Sequence, residues 1–346
     1  MKLYPLQFHP RFVAKMWGGR ELSRVAHKSL PEAKPIGESW ELFDFPPGAV
    51  GPDGRIASDR PDDWISASIA NGPLAGMTLH EMMGGHRRDL IGGASAVQTP
   101  HGEQFPLLIK FLDARQDLSV QVHPPERYAA THPNAHLKNE CWFILDHEPG
   151  ARNLIGTIPG TSPEAFKQAI EAGACEAMLN RVEVKRGEMY YLPSGTVHAL
   201  GAGIVAAEVQ TPSDTTYRVF DFSRIEPSTG KPRTLHVKEA LECIEFNTDW
   251  RSGFSPAGEE DRVLVNAPQF TVARRKLDAN VKQRVDAGRM RVIMLIEGSL
   301  EITGDFGVVN NVRVSSGQTV LIPAVVEGSI VATQTSRYLE VRLPEA

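Results

Sequence analysis

A glycine followed six residues later by a proline, the two bounding a strand-length run, occurs twice at a fixed offset. Residues 185–197 read KRGEMYYLPSGTV and residues 315–327 read SSGQTVLIPAVVE, so Gly187 and Pro193 recur as Gly317 and Pro323, 130 residues on. Glycine readily adopts the left-handed turn that enters a strand, and proline, lacking an N–H, marks where one stops. The recurrence predicts two copies of one β module. Composition agrees, because Gly 30 and Pro 25 in 346 residues exceed the usual ~12% for this pair and favour many turns and short elements.

The rest of the chain carries the same texture. ESWELFD (38–44), PLLIKFLDA (106–114), LSVQVH (118–123) and ECWFILD (140–146) read as strands, followed by MLNRVEV, MYYLP, GIVAAEVQ and TYRVFDF up to residue 222. Residues 62–93 are the best helical stretch, and the breaks at Asn71-Gly72-Pro73 and Gly84-Gly85 predict two or three short helices there. SPEAFKQAIEAG (162–173) predicts an amphipathic helix with Ser162 as N-cap and Gly173 as stop, and VKEALECI (237–244) another. NTDWRSGFSPAGEE (247–260) reads as a linker, and at least six short strands at about ten-residue spacing follow it. The expected division is a catalytic module over 1–246, a linker over 247–260 and a smaller β module over 261–346.

Charge and cysteines exclude several classes. Lys+Arg 37 against Asp+Glu 42 gives a net charge of −5, with no basic excess to hold a phosphate backbone, so no nucleic-acid partner is expected. No run approaches the ~18 apolar residues of a membrane span, and the N-terminal residues show no apolar signal-peptide core. Cys141, Cys175 and Cys243 are odd in number and widely spaced, which points to free thiols in a reducing cytoplasm. At this length a monomer or weak homodimer is expected.

One constellation carries chemistry. Gln121 and His123 are two apart in a strand and share a face. Glu140 opens the next strand with Lys138 two residues before it, and His198 follows the tight turn Pro193-Ser194-Gly195. An amide oxygen, two imidazoles and a carboxylate suit a divalent metal: zinc, with iron, cobalt or manganese also accommodated by N and O ligands. One carboxylate on a +2 ion leaves a net positive site that favours an anionic substrate.

Gly187-x5-Pro193-x-Gly195-x2-His198 resembles the second cupin motif, with Ala202 where the family carries Asn. The first motif departs, with Gln121-Val122-His123 in place of His-x-His and Glu140 displaced by an insertion of 16 residues. Those departures resemble type I mannose-6-phosphate isomerases. Segments 118–124, 138–142, 193–200 and 213–218, together with Trp17-Gly18-Gly19 and Gly37-Glu38-Ser39-Trp40-Glu41, are similar to that family's motifs, densely over residues 1–225, and the length resembles the short bacterial branch. The resemblance implies tandem cupin jelly-roll barrels, mainly β with a few short helices. It also implies interconversion of mannose 6-phosphate and fructose 6-phosphate through an enediolate, and one Zn2+ per chain on Gln121, His123, Glu140 and His198. It implies a catalytic Arg218, with Lys138 beside the metal, and substrate-binding positions at Ser119, Glu208 and Asp214. Lys138, Glu208, a metal-bound water and the surroundings of His198 all stand as candidates for the carbon base.

The second copy lacks this chemistry. His198 at the same offset falls on Gly328, with no Gln-x-His or Glu partner evident, so the later module is expected to be structural. A non-enzymatic sugar or sugar-phosphate binding cupin is the competing reading. It would not need Lys138 and Arg218 beside a full ligand set. A cupin dioxygenase is disfavoured by Gln121 and by the displaced Glu140.

Overall fold

The computed structural model describes all residues except 1, 33, 48–49, 52–53, 56–63, 94–98, 228, 308 and 345–346; positions 62–63 of the expected helical stretch therefore lie outside the described residues. Its β-strands gather into three main antiparallel sheets. A seven-stranded sheet runs in the order Phe254–Ser255, Met189–Leu192, Glu140–His147, Ile204–Gln210, Leu108–Ala114, Arg11–Gly19, Ile36–Leu42. A five-stranded sheet runs Leu179–Glu183, Arg152–Thr157, His198–Ala199, Val120–Val122, Tyr217–Phe220. These two build the first module, and an eight-stranded sheet builds the second. The architecture is the mainly β, jelly-roll one expected.

The central strands read as unbroken apolar runs because both of their faces are covered. Every residue of Leu108–Ala114 and of Ile204–Gln210 is buried. Along Glu140–His147 the faces separate cleanly: Cys141, Phe143 and Leu145 join the large core that extends into the second module, while Trp142 and Ile144 join a core inside the first. One sheet therefore has the site on one face and the second module on the other.

The two copies of the glycine–proline turn share their hydrogen bonds as well as their spacing. Gly187 N donates to Ile144 O at 2.8 Å and Gly317 N to Leu295 O at 2.7 Å. Thr196 N donates to Pro193 O at 3.0 Å and Val326 N to Pro323 O at 3.0 Å. Gly187 and Gly317 have φ of +88° and +78°, a region L side chains rarely adopt, so both turns require glycine.

Two local expectations differ from the fold, and one holds. After the 3-10 turn Gly72–Leu74, the helix Leu79–Ile91 is two pieces kinked at His86 behind Gly84-Gly85, so both expected breaks are kept. A Thr78–Glu81 capping box and the burial of Leu79, Met82, Met83, Leu90 and Ile91 hold it across the glycines. The stretch 247–260 is packed: Trp250 lies against Phe254, and Phe254–Ser255 pairs with Met189–Leu192 at the edge of the first sheet. The second module has seven strands after residue 260, of which Arg291–Phe306 and Gly328–Arg342 are 16 and 15 residues long. Both bend through irregular register around Leu295–Leu300, so each serves two parts of the barrel. Ser162 and Gly173 do cap and follow the helix Pro163–Glu171, and Val237–Cys243 is helical. Leu6–Gln7, at the start of the chain, pairs with Thr319–Ile322 of the second module.

Candidate metal centre

The five-stranded sheet aligns three functional residues by register. His198 lies directly opposite Gln121, and Gln121 directly opposite Arg218 on its other side. Directly paired residues in neighbouring strands project to the same face. Glu140 reaches the cluster from the facing sheet: its Oε2 lies 3.3 Å from His123 Nε2 and its Oε1 3.2 Å from His198 Nε2. Gln121 Nε2 lies 3.4 Å from His198 Nε2, and an amide turned by 180° presents its oxygen there instead. All four residues are buried.

Outer contacts fix both imidazoles in the tautomer a metal requires. His123 Nδ1 lies 3.0 Å from Thr215 O and His198 Nδ1 2.8 Å from Thr196 O. Only a protonated nitrogen bonds a carbonyl, so each Nε2 keeps a lone pair facing the other. Burial first, then Lys138, pushes the His123 imidazole down to about 3, which keeps it neutral. Burial alone would raise the Glu140 carboxyl, but Lys138 outweighs it and holds Glu140 well below the usual carboxylate range. Lys138 Nζ donates to Glu140 Oε2 and, at 3.0 Å, to His123 Nε2. Glu140 Oε1 is buried and accepts no hydrogen bond from the protein, leaving a carboxylate oxygen for a ligand to take. Among the described residues, His123, Glu140 and His198 form the one His/Cys/Asp/Glu cluster with metal-ligand spacing.

The other expected residues are placed unequally. Lys138 is buried at the cluster; Arg218 is buried in register with Gln121, its Nη1 donating to Thr234 O at 3.0 Å. Burial lowers the guanidinium, and Asp221 opposes that. Ser119 is buried two residues before Gln121. Glu208 accepts from Trp142 Nε1 at 3.0 Å and pairs with Lys110 at 2.9 Å, while the Trp142 ring meets His198 edge-on at 5.3 Å. Glu208 thus belongs to a network behind the ligands. Asp214 is half-buried on the connection after Ile204–Gln210, where it acts on His101, which packs 5.1 Å from His136.

The sequence reading missed Lys110, Glu38 and Lys15. Lys110 bridges Glu208 and, at 3.7 Å, Glu38, which pairs with Lys15 at 3.2 Å. Burial would raise Glu38, yet Lys15 and Lys110 bring it down to about 2. The available signal was a lysine inside the otherwise apolar run LLIKFL, since lysine is almost never buried unpaired.

Two imidazoles, a carboxylate and an amide inside a jelly roll define a metalloprotein of the cupin class. The comparisons carry this further. Residues 62–151 match the family of phosphomannose isomerase type I catalytic domains. The chain is 40% identical over 246 residues to the mannose-6-phosphate isomerase ManA of Bacillus subtilis, covering 71% of this chain and 69% of that protein. The crystal structure of the mannose 6-phosphate isomerase from Bacillus subtilis superposes with a TM-score of 0.75 at 27% identity, over 98% of this chain and 99% of that one. A zinc-bound mannose 6-phosphate isomerase structure shares the fold at a TM-score of 0.72 and 16% identity, over 99% of this chain and 100% of that one. The chain belongs to the type I phosphomannose isomerase family.

Proposed function

We infer that this protein is a metal-dependent aldose–ketose isomerase that interconverts mannose 6-phosphate and fructose 6-phosphate, with one zinc ion per chain. The observation that carries the reading is the buried convergence of Gln121, His123, Glu140 and His198 with Lys138 among them and Arg218 in register beside Gln121, in a chain of this family. The donor set fits zinc: nitrogen and oxygen ligands whose outer nitrogens are already bonded. When bound there, the ion supplies Lewis-acid stabilisation of charge developing on substrate oxygen.

The chain's own residues account for the remaining steps. Isomerisation of the open-chain aldose takes the proton from C2, giving an enediolate whose negative charge is shared by O1 and O2; a proton then returns to C1, and the O2 hydroxyl proton passes to O1. Arg218 is fixed by strand register and by Thr234 O, and a planar guanidinium binds two such oxygens together. Lys138 pairs with Glu140 at the cluster, which places an amine able to exchange a proton beside the metal position. Ser119 contacts the sugar from the Gln121 face, Asp214 from the rim, and Glu208 acts through Lys110 and Trp142. Dry walls around the site, among them Val120, Val122 and Trp142, strengthen each of these charges.

The substrate is a small phosphorylated sugar, and the protein acts in the cytoplasm as a monomer or weak homodimer. Three free, buried cysteines and a net charge of −5 support that setting. No described helix is long and apolar enough to cross a membrane.

The test supplies mannose 6-phosphate and follows fructose 6-phosphate in a coupled assay, with and without a chelator. Turnover that the chelator abolishes and zinc restores is expected. Absence of chelator-sensitive turnover, with sugar-phosphate binding retained, would instead make this a binding protein.

A further inference from the structure

Where the first module's sheet packs on the second module, the seam is not filled. A cavity of about 360 Å3 opens between Glu140–His147 on one side and the strands Arg291–Phe306 and Gly328–Arg342 on the other. Its volume lies within the usual range for small-molecule sites. It is separate from the metal centre, because Phe143 and Leu145 face it from the side of the strand opposite Glu140 and Trp142. With Ile296 and Leu339 they give the cavity an apolar floor.

The polar part of the wall carries an excess of positive charge, three arginines against two glutamates. Four of these groups satisfy one another. Arg186 pairs with Glu297, and Arg337 donates to Glu297 at 3.0 Å and to Glu259 at 2.8 Å. Arg274 is left over. It is only 7% exposed, and its hydrogen bonds go to the backbone carbonyls of Glu260 at 3.0 Å and Pro256 at 3.5 Å. Nearby carboxylates attract it only at longer range, and two of them are committed elsewhere: Glu259 to Arg337, and Asp261 to Arg275 at 3.7 Å. The backbone at Gly258 passes close to the guanidinium, where a Cβ would lie 2.8 Å from Arg274 Nη2. A buried guanidinium with no carboxylate in contact is costly. Here it lines a cavity with an apolar floor.

We propose that this inter-module cavity is a binding site for a small monocarboxylate with an apolar body, the carboxylate on Arg274 and the body on Phe143, Leu145 and Ile296. A planar carboxylate matches the guanidinium in two parallel hydrogen bonds, and an aryl or branched aliphatic group matches the floor. A phosphate ester of a sugar would bring hydroxyls to that floor without partners.

The probe is 3-phenylpropionate, titrated calorimetrically into the zinc-loaded full chain, with its amide, 3-phenylpropanamide, as the uncharged control. One site per chain is expected, with a Kd of about 1 mM or tighter. Arg274→Gln, or the amide in place of the acid, should weaken binding at least about tenfold, the scale of a lost charge-assisted pair. Ala257→Phe, introduced from the exposed side of the cavity wall, should block binding without touching Arg274, and decides the matter if Arg274→Gln fails to fold. Binding that is displaced by mannose 6-phosphate, or that is unchanged in Ala257→Phe, would place the probe elsewhere and overturn the proposal, as would no binding up to about 10 mM. Because the readout is binding and not turnover, its failure leaves the isomerase reading untouched.

Discussion

The two β modules hold their interior cations differently, although they are built on the same turns. Leu192 and Ile322 occupy the same place in the repeat. Glu140 lies opposite the first and Arg291 opposite the second. Two residues further along each strand the partners are again equivalent: Trp142 faces Glu208 and Ile293 faces Glu340. Both modules therefore keep a buried glutamate, paired with Lys110 in one case and with Arg275 at 3.0 Å in the other. The metal-binding carboxylate, however, has become a guanidinium, Arg291, 3.7 Å from Glu340, with Arg342 at 2.6 Å from the same carboxylate. The His198 position has become Gly328, where a Cβ would lie 2.3 Å from Thr303 O. One barrel collects lone pairs for an external cation, and the other carries its cations covalently. A jelly roll tolerates either, because its backbone hydrogen bonds are the same in both.

That contrast can be broken at its strongest point first. His198→Ala or Glu140→Ala should remove bound zinc and reduce turnover together, by at least about a thousandfold, the scale of lost metal catalysis. Arg291→Ala should leave zinc content and turnover per folded chain unchanged. Metal analysis beside the coupled assay reads both, and zinc loss in the Arg291 variant would show that the second interior reaches the site. Next in size, Glu340→Ala should destabilise the fold by about 3–5 kcal/mol, because it strands buried guanidiniums, again without altering zinc stoichiometry; urea unfolding measures it. Arg218→Ala should keep the metal and raise the barrier by about 2–4 kcal/mol, seen as a fall in kcat at full zinc occupancy.

The smallest effect concerns pH. With zinc removed, His123 is held neutral by burial, down to about 3, whereas an unfolded histidine takes up a proton near pH ~6.5. The unfolded state then binds more protons as pH falls, so stability is flat above that value and declines below it by up to about 1.4 kcal/mol per pH unit. His123→Asn should lessen this slope, and what is left comes from His101 and His236, which burial also lowers, against Asp113, which burial raises to about 6. The second interior should add none over the same range: burial raises Glu340, but Arg342 and Arg275 outweigh it and keep the carboxyl below its ordinary value. Denaturation midpoints of chelated protein across about pH 5.5–7.5 distinguish the two interiors.

Much of the first module was legible because its signals are short-range. Alternation placed Gln121 and His123 on one face, and the turn at Pro193 delivered His198. Lys110 and Glu38 were harder, since their partners lie across two sheet registers and no local pattern pairs them. Glu208 was expected at substrate, but it is committed to Lys110 and Trp142. A residue's strand face can be read from parity, but what meets it on that face cannot. The stretch 247–260 looked like a linker from its Gly, Pro and Ser content, and it became an edge strand because Met189–Leu192 offered unpaired backbone.

The sequence alone marked the repeated glycine–proline turns, the strand faces and the residue types suited to a metal, because these are properties of a few adjacent residues. Only the tertiary structure decided that Arg291 stands where Glu140 does, that Arg274 faces a cavity with no carboxylate in contact, and that the chain's first strand closes its last sheet. Those facts depend on register between segments that are distant in sequence, as in Arg291 with Ile322, Glu140 with Leu192 and Leu6 with Leu321, and register is set by the packing of whole faces, not by any local run.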